Sequence, residues 1–504
     1  MKRHILIFFI LLYSIGGFSQ PSVRFKRFYD LPPHFTSESH GVVTTNFGYV
    51  ISGITIDTSV GFGYNRLTLF AVDTLGDSLW VKNYGNPNFQ YARDYSPKWM
   101  IKKGNNLFLT CPVLKPGSIT TSVLIKFDMN GDTLWQKEYS GIEKSIVTDG
   151  INSTPDSGFI ISGWIEDTIN HSIFLLKTDS LGNEQWRKKI NTTTLYSIGA
   201  QVIYDATTDK YVIVGSYYPT AGSAPQSFVI ITDNLGNKLS QFSYNSSNGG
   251  SLADIIQSTD NNFIACGLDY TGLMIGSWQK MRSQAVKFDI NGTLIWQKKY
   301  GVPSIINYFS SIGKLPSGDL ILGGEYDTIY NYGLGINSDF KIQKTSAIGD
   351  SVWSREISLQ GMNAQDSFRG FDFANDGGFV ASGFFPSGPS PQTYCLVKLD
   401  SFGCETLDCQ LVGIEEETEL QIGLKLYPNP SANQISIEFE LTETKAVSVE
   451  LKNVLGQKIK TISNKAFAKG NNKIEINVSE LSNGLYFIQV RSENKSASKK
   501  FIKN

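Results

Sequence analysis

The segment Asp179-Ser180-Leu181-Gly182-Asn183-Glu184-Gln185-Trp186 decides the fold, because copies of it recur along the chain. Each copy opens with a turn, usually Asp-x-x-Gly, in which the Asp carboxylate can accept backbone N–H groups and the glycine can take a positive φ. Tryptophan follows the glycine by four residues in five of the seven copies. The turn glycines are spaced 51 to 57 residues apart, at Gly76, Gly131, Gly182, Gly236, Gly292, Gly349 and Gly403.

A second motif alternates with the first: an apolar strand that ends in a small residue. One copy reads Phe159-Ile160-Ile161-Ser162-Gly163, and the others end at Gly53, Cys111, Gly215, Gly267, Gly323 and Gly383. Each period holds four strand-like pieces, which in the third copy lie near residues 145–153, 158–164, 172–179 and 184–190. Four antiparallel strands repeated about every 50 residues predict a seven-bladed β-propeller.

The two ends of the array predict how the ring closes. The seventh copy lacks the aromatic fourth strand, whereas Phe25-Lys26-Arg27-Phe28-Tyr29 matches Trp80-Val81-Lys82-Asn83-Tyr84 of the first copy. We therefore predict that residues 22–29 form the outer strand of the last blade. This closure would remove the open sheet edges that an incomplete ring exposes.

The first 19 residues are predicted to be a signal peptide. A basic start at residues 1–4 precedes an apolar run at residues 5–12, and the small residues Gly17 and Ser19 suit cleavage before Gln20. A membrane anchor is the alternative, but a spanning helix needs about 20 apolar residues. No other segment is predicted to be transmembrane.

The C-terminal part of the chain is predicted to be a separate module. Apolar and polar residues alternate in segments such as Ile435–Leu441, which predicts a small antiparallel β-sandwich. The predicted all-β organisation is a signal peptide (1–19), the seven-bladed β-propeller (20–410), a linker (411–423) and an Ig-like β-sandwich (424–504).

Four motifs in this module resemble a type A sorting domain of the type IX secretion system. They contain Tyr427, Pro428, Asn429 and Pro430, then Gly456, then Gly484 with Tyr486, and finally Lys499, Lys500 and Lys503. The resemblance implies a partnership with the type IX secretion machinery and export through the periplasm to the cell surface or the extracellular medium. In that family the domain is usually cut off, and the cargo is released or attached to surface lipopolysaccharide. The alternative is an ordinary Ig-like spacer.

The composition disfavours several classes of partner and catalytic site. A formal net charge of −1 gives no reason to expect a nucleic-acid partner, and four histidines disfavour a histidine-based site. No cofactor is predicted. The sequence leaves a calcium site open at Asp128-Met129-Asn130-Gly131-Asp132, because its alternating oxygen ligands suit that ion. The alternative is that this segment is only a standard hairpin turn of the repeat.

The five cysteines are too few for a disulfide scaffold. Cys404 and Cys409 flank the end of the last blade and are predicted to form a local disulfide in an oxidising compartment. Two free thiols are the alternative. The other three, Cys111, Cys266 and Cys395, are interpreted as buried packing residues.

Aromatic residues are frequent in the connections between second and third strands, which share one rim of a propeller with the links between blades. Such loops often carry function, so this rim is the candidate site for a glycan or a surface protein. Packing between neighbouring loops is the alternative. The candidate rim residues are Tyr64, Trp164, Tyr217, Tyr218, Tyr270, Trp278, Tyr326 and Tyr330, with Tyr332, Phe384 and Phe385 nearby.

Three functions remain open from the sequence. The first is a secreted or surface-displayed, non-enzymatic binding or adhesion propeller. The second is a carbohydrate-active enzyme that uses two converging rim carboxylates, drawn from Asp57, Asp94, Glu166, Asp269 and Asp327. The third is a structural component of a surface assembly.

Overall fold

The computed structural model describes residues 23–31, 34–59, 63–92, 98–115, 119–141, 145–166, 171–190, 196–220, 223–244, 247–275, 278–303, 305–331, 335–359, 366–386, 392–406, 418–419, 423–453, 458–492 and 495–504. Within these ranges the chain is all-β and contains no helix. It divides into two compact units, Met1–Leu407 and Asp408–Asn504. The predicted signal peptide and most of the predicted linker lie outside the described residues.

The strands of the first unit follow one another with short turns. They are β1 (Phe25–Tyr29), β2 (His34–Thr44), β3 (Gly48–Asp57), β4 (Tyr64–Asp73), β5 (Ser78–Tyr84), β6 (Gln90–Tyr91), β7 (Met100–Lys103), β8 (Asn106–Lys115), β9 (Ile119–Phe127), β10 (Thr133–Tyr139), β11 (Ser145–Ser153), β12 (Phe159–Glu166), β13 (His171–Thr178), β14 (Glu184–Ile190), β15 (Tyr196–Asp205), β16 (Lys210–Tyr218), β17 (Gln226–Thr232), β18 (Lys238–Phe242), β19 (Gly250–Gln257), β20 (Phe263–Ile275), β21 (Trp278–Phe288), β22 (Leu294–Tyr300), β23 (Asn307–Lys314), β24 (Leu320–Asn331), β25 (Gly335–Thr345), β26 (Ser351–Ile357), β27 (Ser367–Phe373), β28 (Phe379–Pro386) and β29 (Gln392–Leu399).

The described strands of this unit form antiparallel groups in chain order, which we number 1 to 7. They are β2–β5, β6–β10, β11–β14, β15–β18, β19–β22, β23–β26, and β27–β29 together with β1. Groups 2 and 3 join into one sheet through the parallel pair Thr120 with Ser145, and an isolated parallel bridge also joins Lys98 to Gly150. In group 7, β1 pairs antiparallel with β29, with Arg27 opposite Leu396. The four-stranded antiparallel pattern that the repeat predicted is therefore present.

Apolar clusters lie between consecutive groups. The second strand of group 3, for example, is buried from Phe159 to Gly163 because the neighbouring groups cover both of its faces. Ile160 of this strand belongs to the same cluster as Ile213 and Phe228 of group 4. A corresponding cluster joins group 7 to group 1 and includes Phe70 and Tyr394.

The aromatic fourth strand of one group contacts the turn of the next group. In group 2, the Tyr139 hydroxyl donates a hydrogen bond to the carbonyl oxygen of Gly182 at 2.7 Å. The Trp135 ring lies 2.7 Å from the position that a Cβ on Gly182 would take. Other copies of this contact place Trp80 on Gly131, Trp186 on Gly236, Trp296 on Gly349 and Trp353 on Gly403. We call this contact the turn latch.

The turn that receives the latch is shaped by its aspartate. The Asp179 carboxylate accepts the backbone N–H groups of Leu181 at 2.9 Å and Asn183 at 2.8 Å. Gly182 has a φ of +76°, a conformation that costs a residue with a Cβ about 1–2 kcal/mol. The Asp-x-x-Gly motif therefore serves both the hairpin and the contact with the neighbouring group.

The N-terminal strand makes the same contact. The Tyr29 hydroxyl of β1 donates to the carbonyl oxygen of Gly76 in group 1 at 2.7 Å. Phe25 of β1 takes the place of the tryptophan against Gly76. Arg24 also forms a largely buried ion pair with Asp400 of group 7. The N-terminal strand thus contacts both the last and the first group.

The second unit contains two sheets around one apolar core. Its strands are β30 (Thr418–Glu419), β31 (Lys425–Tyr427), β32 (Gln434–Leu441), β33 (Lys445–Lys452), β34 (Lys458–Phe467), β35 (Gly470–Asn477), β36 (Gly484–Ser492) and β37 (Lys495–Lys503). The strand orders are β30-β37-β36-β33-β34 and β31-β32-β35. Alternate residues such as Ile435, Ile437 and Phe439 fill the core, as the period-two pattern predicted.

Replacing a latched glycine tests the turn latch. Gly182→Ala should lower the free energy of unfolding by about 2–4 kcal/mol, because it adds backbone strain and a clash with Trp135. Gly104→Ala is the matched control, since Gly104 has a φ of +59° but no atom within 4 Å of its added Cβ. It should lose only about 1 kcal/mol. Urea denaturation measures both, and equal losses would show that the latch adds no stability.

Candidate functional site

The predicted rim aromatics lie on strands rather than in free loops. They occupy the ends of second strands and the beginnings of third strands: Tyr64 in β4, Trp164 in β12, Tyr217 and Tyr218 in β16, Tyr270 in β20 and Tyr326 in β24. All six are half-buried. The side chains of Trp278 and Tyr330 lie outside the described part of the chain, as does Tyr332. Phe384 and Phe385 are buried.

Most of the described rim aromatics contact residues of their own group. Trp164 stacks on His171 with the ring centroids 4.6 Å apart. Tyr64 donates a hydrogen bond to the Asp57 carboxylate at 3.2 Å. Tyr218 and Tyr270 come from neighbouring groups and interact with each other; after burial, Tyr218 is the next cause that raises the pKa of Tyr270. The described contacts therefore resemble the packing alternative more than one continuous aromatic surface.

Two of the carboxylates considered for catalysis are neutralised by cations. Asp57 accepts a hydrogen bond from Ser59 and pairs with Arg66 at 2.7 Å, and these contacts hold its pKa below the ordinary range. Asp269 pairs with Lys299 at 2.7 Å. Glu166 is half-buried at the end of β12, and Asp94 lies outside the described residues.

Asp327 differs from these carboxylates. Its side chain is only 8% exposed, and its Oδ2 atom has no hydrogen-bond partner. Burial, followed by the nearby charges of Glu325 and Asp339, raises its pKa to about 8. Glu325 is not among the carboxylates predicted from the sequence, although it stands two residues before Asp327 and therefore on the same face of the strand.

A cavity of about 380 Å³ lies among the first strands of six groups. Its polar lining includes Lys98, Lys102, Asn152, Gln201 and Asp372, and the remaining lining is mostly apolar. These residues lie toward the ends of the first strands, whereas the aromatic rim lies where the antiparallel second strands end. The cavity is therefore at the opposite end of the strand groups from the predicted rim.

An ion pair crosses between two walls of this cavity region. The Lys98 ammonium group beside β7 lies 2.7 Å from the carboxylate of Asp254 on β19. That buried carboxylate also accepts the backbone N–H groups of Ile255 and Ile312, both at 2.8 Å. The carboxylate is thus held by a cation and two backbone donors.

One residue of the cavity wall has a buried polar atom without a hydrogen-bond partner. Gln201 is 3% exposed, yet its Nε2 atom has no hydrogen-bond partner. The backbone N–H of Thr44, which also lines the cavity, donates to the Asp372 carboxylate at 2.7 Å. A second cavity of about 510 Å³ shares Lys98, Asn152, Ile203 and Ile255 with the first. Sequence patterning gave no signal for this site, because each first strand contributes a different side chain.

The turn Asp128–Asp132, which the sequence analysis considered as a calcium site, is stabilised by its own hydrogen bonds and by an ion pair. The Asp128 carboxylate accepts the backbone N–H groups of Asn130 at 2.9 Å and Asp132 at 2.8 Å. Asp132 forms an ion pair with Lys82 of the preceding group. Within the described ranges, no group of three or more His, Cys, Asp or Glu side chains is arranged to hold a metal ion.

The predicted disulfide falls partly on described residues. Cys404 is disulfide-bonded, while Cys111, Cys266 and Cys395 are buried free thiols. Cys409 lies outside the described residues, and its pairing with Cys404 stays a prediction.

Two of the sorting motifs meet in the second unit. The Asn429 side chain donates to the carbonyl oxygen of Lys500 at 3.1 Å and accepts the backbone N–H of Ile502 at 2.8 Å. Tyr486 stacks on Phe501. The other predicted sorting residues are Tyr427, Pro428, Pro430, Gly484, Lys499 and Lys503; Gly456 lies outside the described residues.

Solved structures similar to this chain have several activities. A fungal alcohol oxidase with copper is 10% identical over 95% of this chain and 98% of its own, with a TM-score of 0.41. An α-L-arabinofuranosidase from Fusarium graminearum is 12% identical over 64% and 97%, with a TM-score of 0.36. The WD40 domain of SCAP from fission yeast is 10% identical over 75% and 99%, with a TM-score of 0.33. These similarities give no information on the ligand or activity of this chain.

No curated protein matches the chain. A search of the described residues for a helix able to cross a membrane finds none.

The C-terminal residues give a family match. Residues 425–504 match the family described as the secretion system C-terminal sorting domain. This match confirms the resemblance drawn from the four motifs and implies an interaction with the type IX secretion machinery. The chain therefore carries a type IX secretion sorting domain, which indicates export to the cell surface or the extracellular medium.

Proposed function

We propose that residues 20–410 form a seven-bladed β-propeller that the N-terminal strand closes. The pairing of β1 with β29 and the hydrogen bond from Tyr29 to Gly76 support this closure. So does the apolar cluster that joins group 7 to group 1. In this proposal residues 1–19 are the signal peptide, residues 411–423 the linker and residues 424–504 the sorting module.

The exported propeller is a binding protein, and its ligand is a glycan that enters the cavity of about 380 Å³ among the first strands. The observation that carries this proposal is Gln201, a residue of the cavity wall whose buried amide nitrogen has no hydrogen-bond partner. A buried donor without a partner costs about 1–3 kcal/mol, and a sugar hydroxyl can accept its hydrogen bond.

The rest of the lining also suits a sugar. Pockets for small molecules commonly combine apolar walls with a few polar groups. Here Val42 and Phe371 offer apolar contacts for the C–H face of a sugar ring, and Asn152 and Asp372 offer hydrogen-bonding groups. Binding rather than hydrolysis is proposed because Asp57 and Asp269 are paired with cations.

A glycan array probed with the purified chain, with and without calcium, tests this function. We expect binding to a defined subset of glycans. Gln201→Leu should weaken that binding at least about tenfold, since each 1.4 kcal/mol is a factor of ten. Tyr64→Phe at the opposite end is the control and should leave the affinity unchanged.

Two results would contradict the proposal. If the chain binds no glycan, its ligand is not a glycan, and a protein partner is favoured instead. Loss of binding in Trp164→Ala but not in Gln201→Leu would move the site to the aromatic rim.

A further inference from the structure

Five acidic side chains form a cluster at the rim end of groups 6 and 7. Their negative charges repel one another. The charge of Asp339 raises the pKa of Asp327, Glu356 and Asp366, and the charge of Glu325 raises the pKa of Asp327. They come from β24, β25, β26 and the residue before β27. We call this set the acid cluster; its members are Glu325, Asp327, Asp339, Glu356 and Asp366.

Three of these carboxylates carry a buried oxygen without a hydrogen-bond partner. The atoms are Oε1 of Glu325, Oδ2 of Asp327 and Oδ1 of Asp366. The exposed fractions of these residues are 8%, 8% and 0%. A native interior rarely leaves such acceptors unsatisfied. Three in one place indicate a group that the chain itself does not supply.

Neighbouring cations compensate the cluster unevenly. The positive charge of Arg369 opposes the rise in the pKa of Glu325. Lys26 does the same for Asp339 and Asp366, and Lys341 does so for Glu356. Among the described residues, the groups that act on Asp327 are two carboxylates, Glu325 and Asp339. An ionised carboxylate buried beside other carboxylates is costly unless a cation joins it.

We propose that the acid cluster binds a primary ammonium group, with the Asp327 and Glu325 carboxylates as its principal acceptors. An ammonium group has three N–H donors and can therefore satisfy several of the open oxygens at once. Its hydrogen bonds to carboxylates are charge-assisted and stronger than neutral ones.

The carboxylates of the acid cluster are divided between the two faces of the group 6 sheet. Glu325 and Asp327 share one face of β24. The pairing of Tyr326 with Asp339 and of Lys341 with Glu356 places the half-buried Asp339 and the exposed Glu356 on the other face. The site is separate from the glycan cavity, which lies at the other end of the groups.

Binding should release a proton from the cluster. Asp327 has a pKa of about 8, so much of it is protonated at neutral pH, and a cation favours its ionised form. The titratable and charged groups on its own face of group 6 and in group 7 are Glu325 of β24, Tyr308 of β23, Asp366 and Arg369. Asp339 and Lys341 of β25 and Glu356 of β26 lie on the opposite face, and Lys26 of β1 acts on Asp339 and Asp366.

Calorimetric titration of the full chain with glucosamine tests the proposal, with N-acetylglucosamine as the uncharged comparison. We expect glucosamine to bind with proton release, seen as heats that depend on the ionisation enthalpy of the buffer. N-acetylglucosamine should bind at least tenfold more weakly. Asp327→Asn should lower the glucosamine affinity at least tenfold. Asp319→Asn, at the opposite end of the same group, should leave it unchanged.

Three outcomes would overturn the proposal. They are the absence of glucosamine binding, equal affinities for the charged and uncharged sugars, and an unchanged affinity in Asp327→Asn. Release of a reducing sugar from glycoside substrates that stops in Asp327→Asn would instead assign Asp327 to hydrolysis.

Thermal melting of the ligand-free chain tests the uncompensated state of Asp327 independently. The folded pKa of about 8 lies above the unfolded value of about 3.9. The folded state therefore holds more protons between these values, and stability falls as the pH rises through this window. Asn cannot ionise, so Asp327→Asn should raise Tm by about 2–5 °C at pH 8 and by less at pH 4.

Asp57→Asn is the matched control for the melting experiment and should change Tm in the opposite direction at neutral pH. The pKa of Asp57 is lowered, so its stabilisation is present above the unfolded pKa and is lost in acid. A lower Tm for Asp327→Asn at pH 8 would show that Asp327 is already compensated in the free chain.

Discussion

The contact between an aromatic strand and the turn of the next strand group recurs around the whole first unit. A tyrosine hydroxyl such as that of Tyr139 donates to the turn carbonyl of Gly182, and a tryptophan ring such as that of Trp135 covers the glycine. The contact needs a side-chain oxygen that shapes the turn, supplied by an aspartate in six turns and by Ser346 in the other, a glycine to leave room and an aromatic strand in the preceding group. These three needs explain why the motif repeats while the loops vary.

The repeat made the strand groups predictable because the turn latch acts between nearby copies and requires particular residue types. Even the role of β1 could be read from the match between Phe25–Tyr29 and Trp80–Tyr84, and β1 pairs with β29. The candidate sites were harder to predict from the sequence than the strand groups. Glu325 is a candidate only because Asp327 and Asp366 lie near it in the fold. Asp366 belongs to a different strand group, so its position could not be predicted from the local sequence. The Gln201 amide is informative because its wall leaves it unpartnered, which a linear pattern cannot show.

The two proposed sites lie at opposite ends of one scaffold and have different chemistry. The cavity end joins apolar walls to the Gln201 amide and contains the Lys98–Asp254 ion pair. The rim end concentrates buried carboxylates around Asp327. A sorting domain at residues 425–504 takes this scaffold out of the cell. Such a protein could meet glycans that carry both hydroxyl and amino groups, with each end recognising one of them.

Closure of the ring by the N-terminal strand is the claim on which this account of unit 1 depends, because it joins group 7 to group 1. Hydrogen exchange of the intact chain, compared with a chain that lacks residues 22–29, measures it most directly. In a closed ring, β29 amides of the intact chain should exchange as slowly as those of the internal strands β13 and β17. Closure also predicts that the deletion speeds exchange in both β29 and β3. Fast exchange of β29 in the intact chain, or an unchanged β3 in the deletion, would contradict a closed ring.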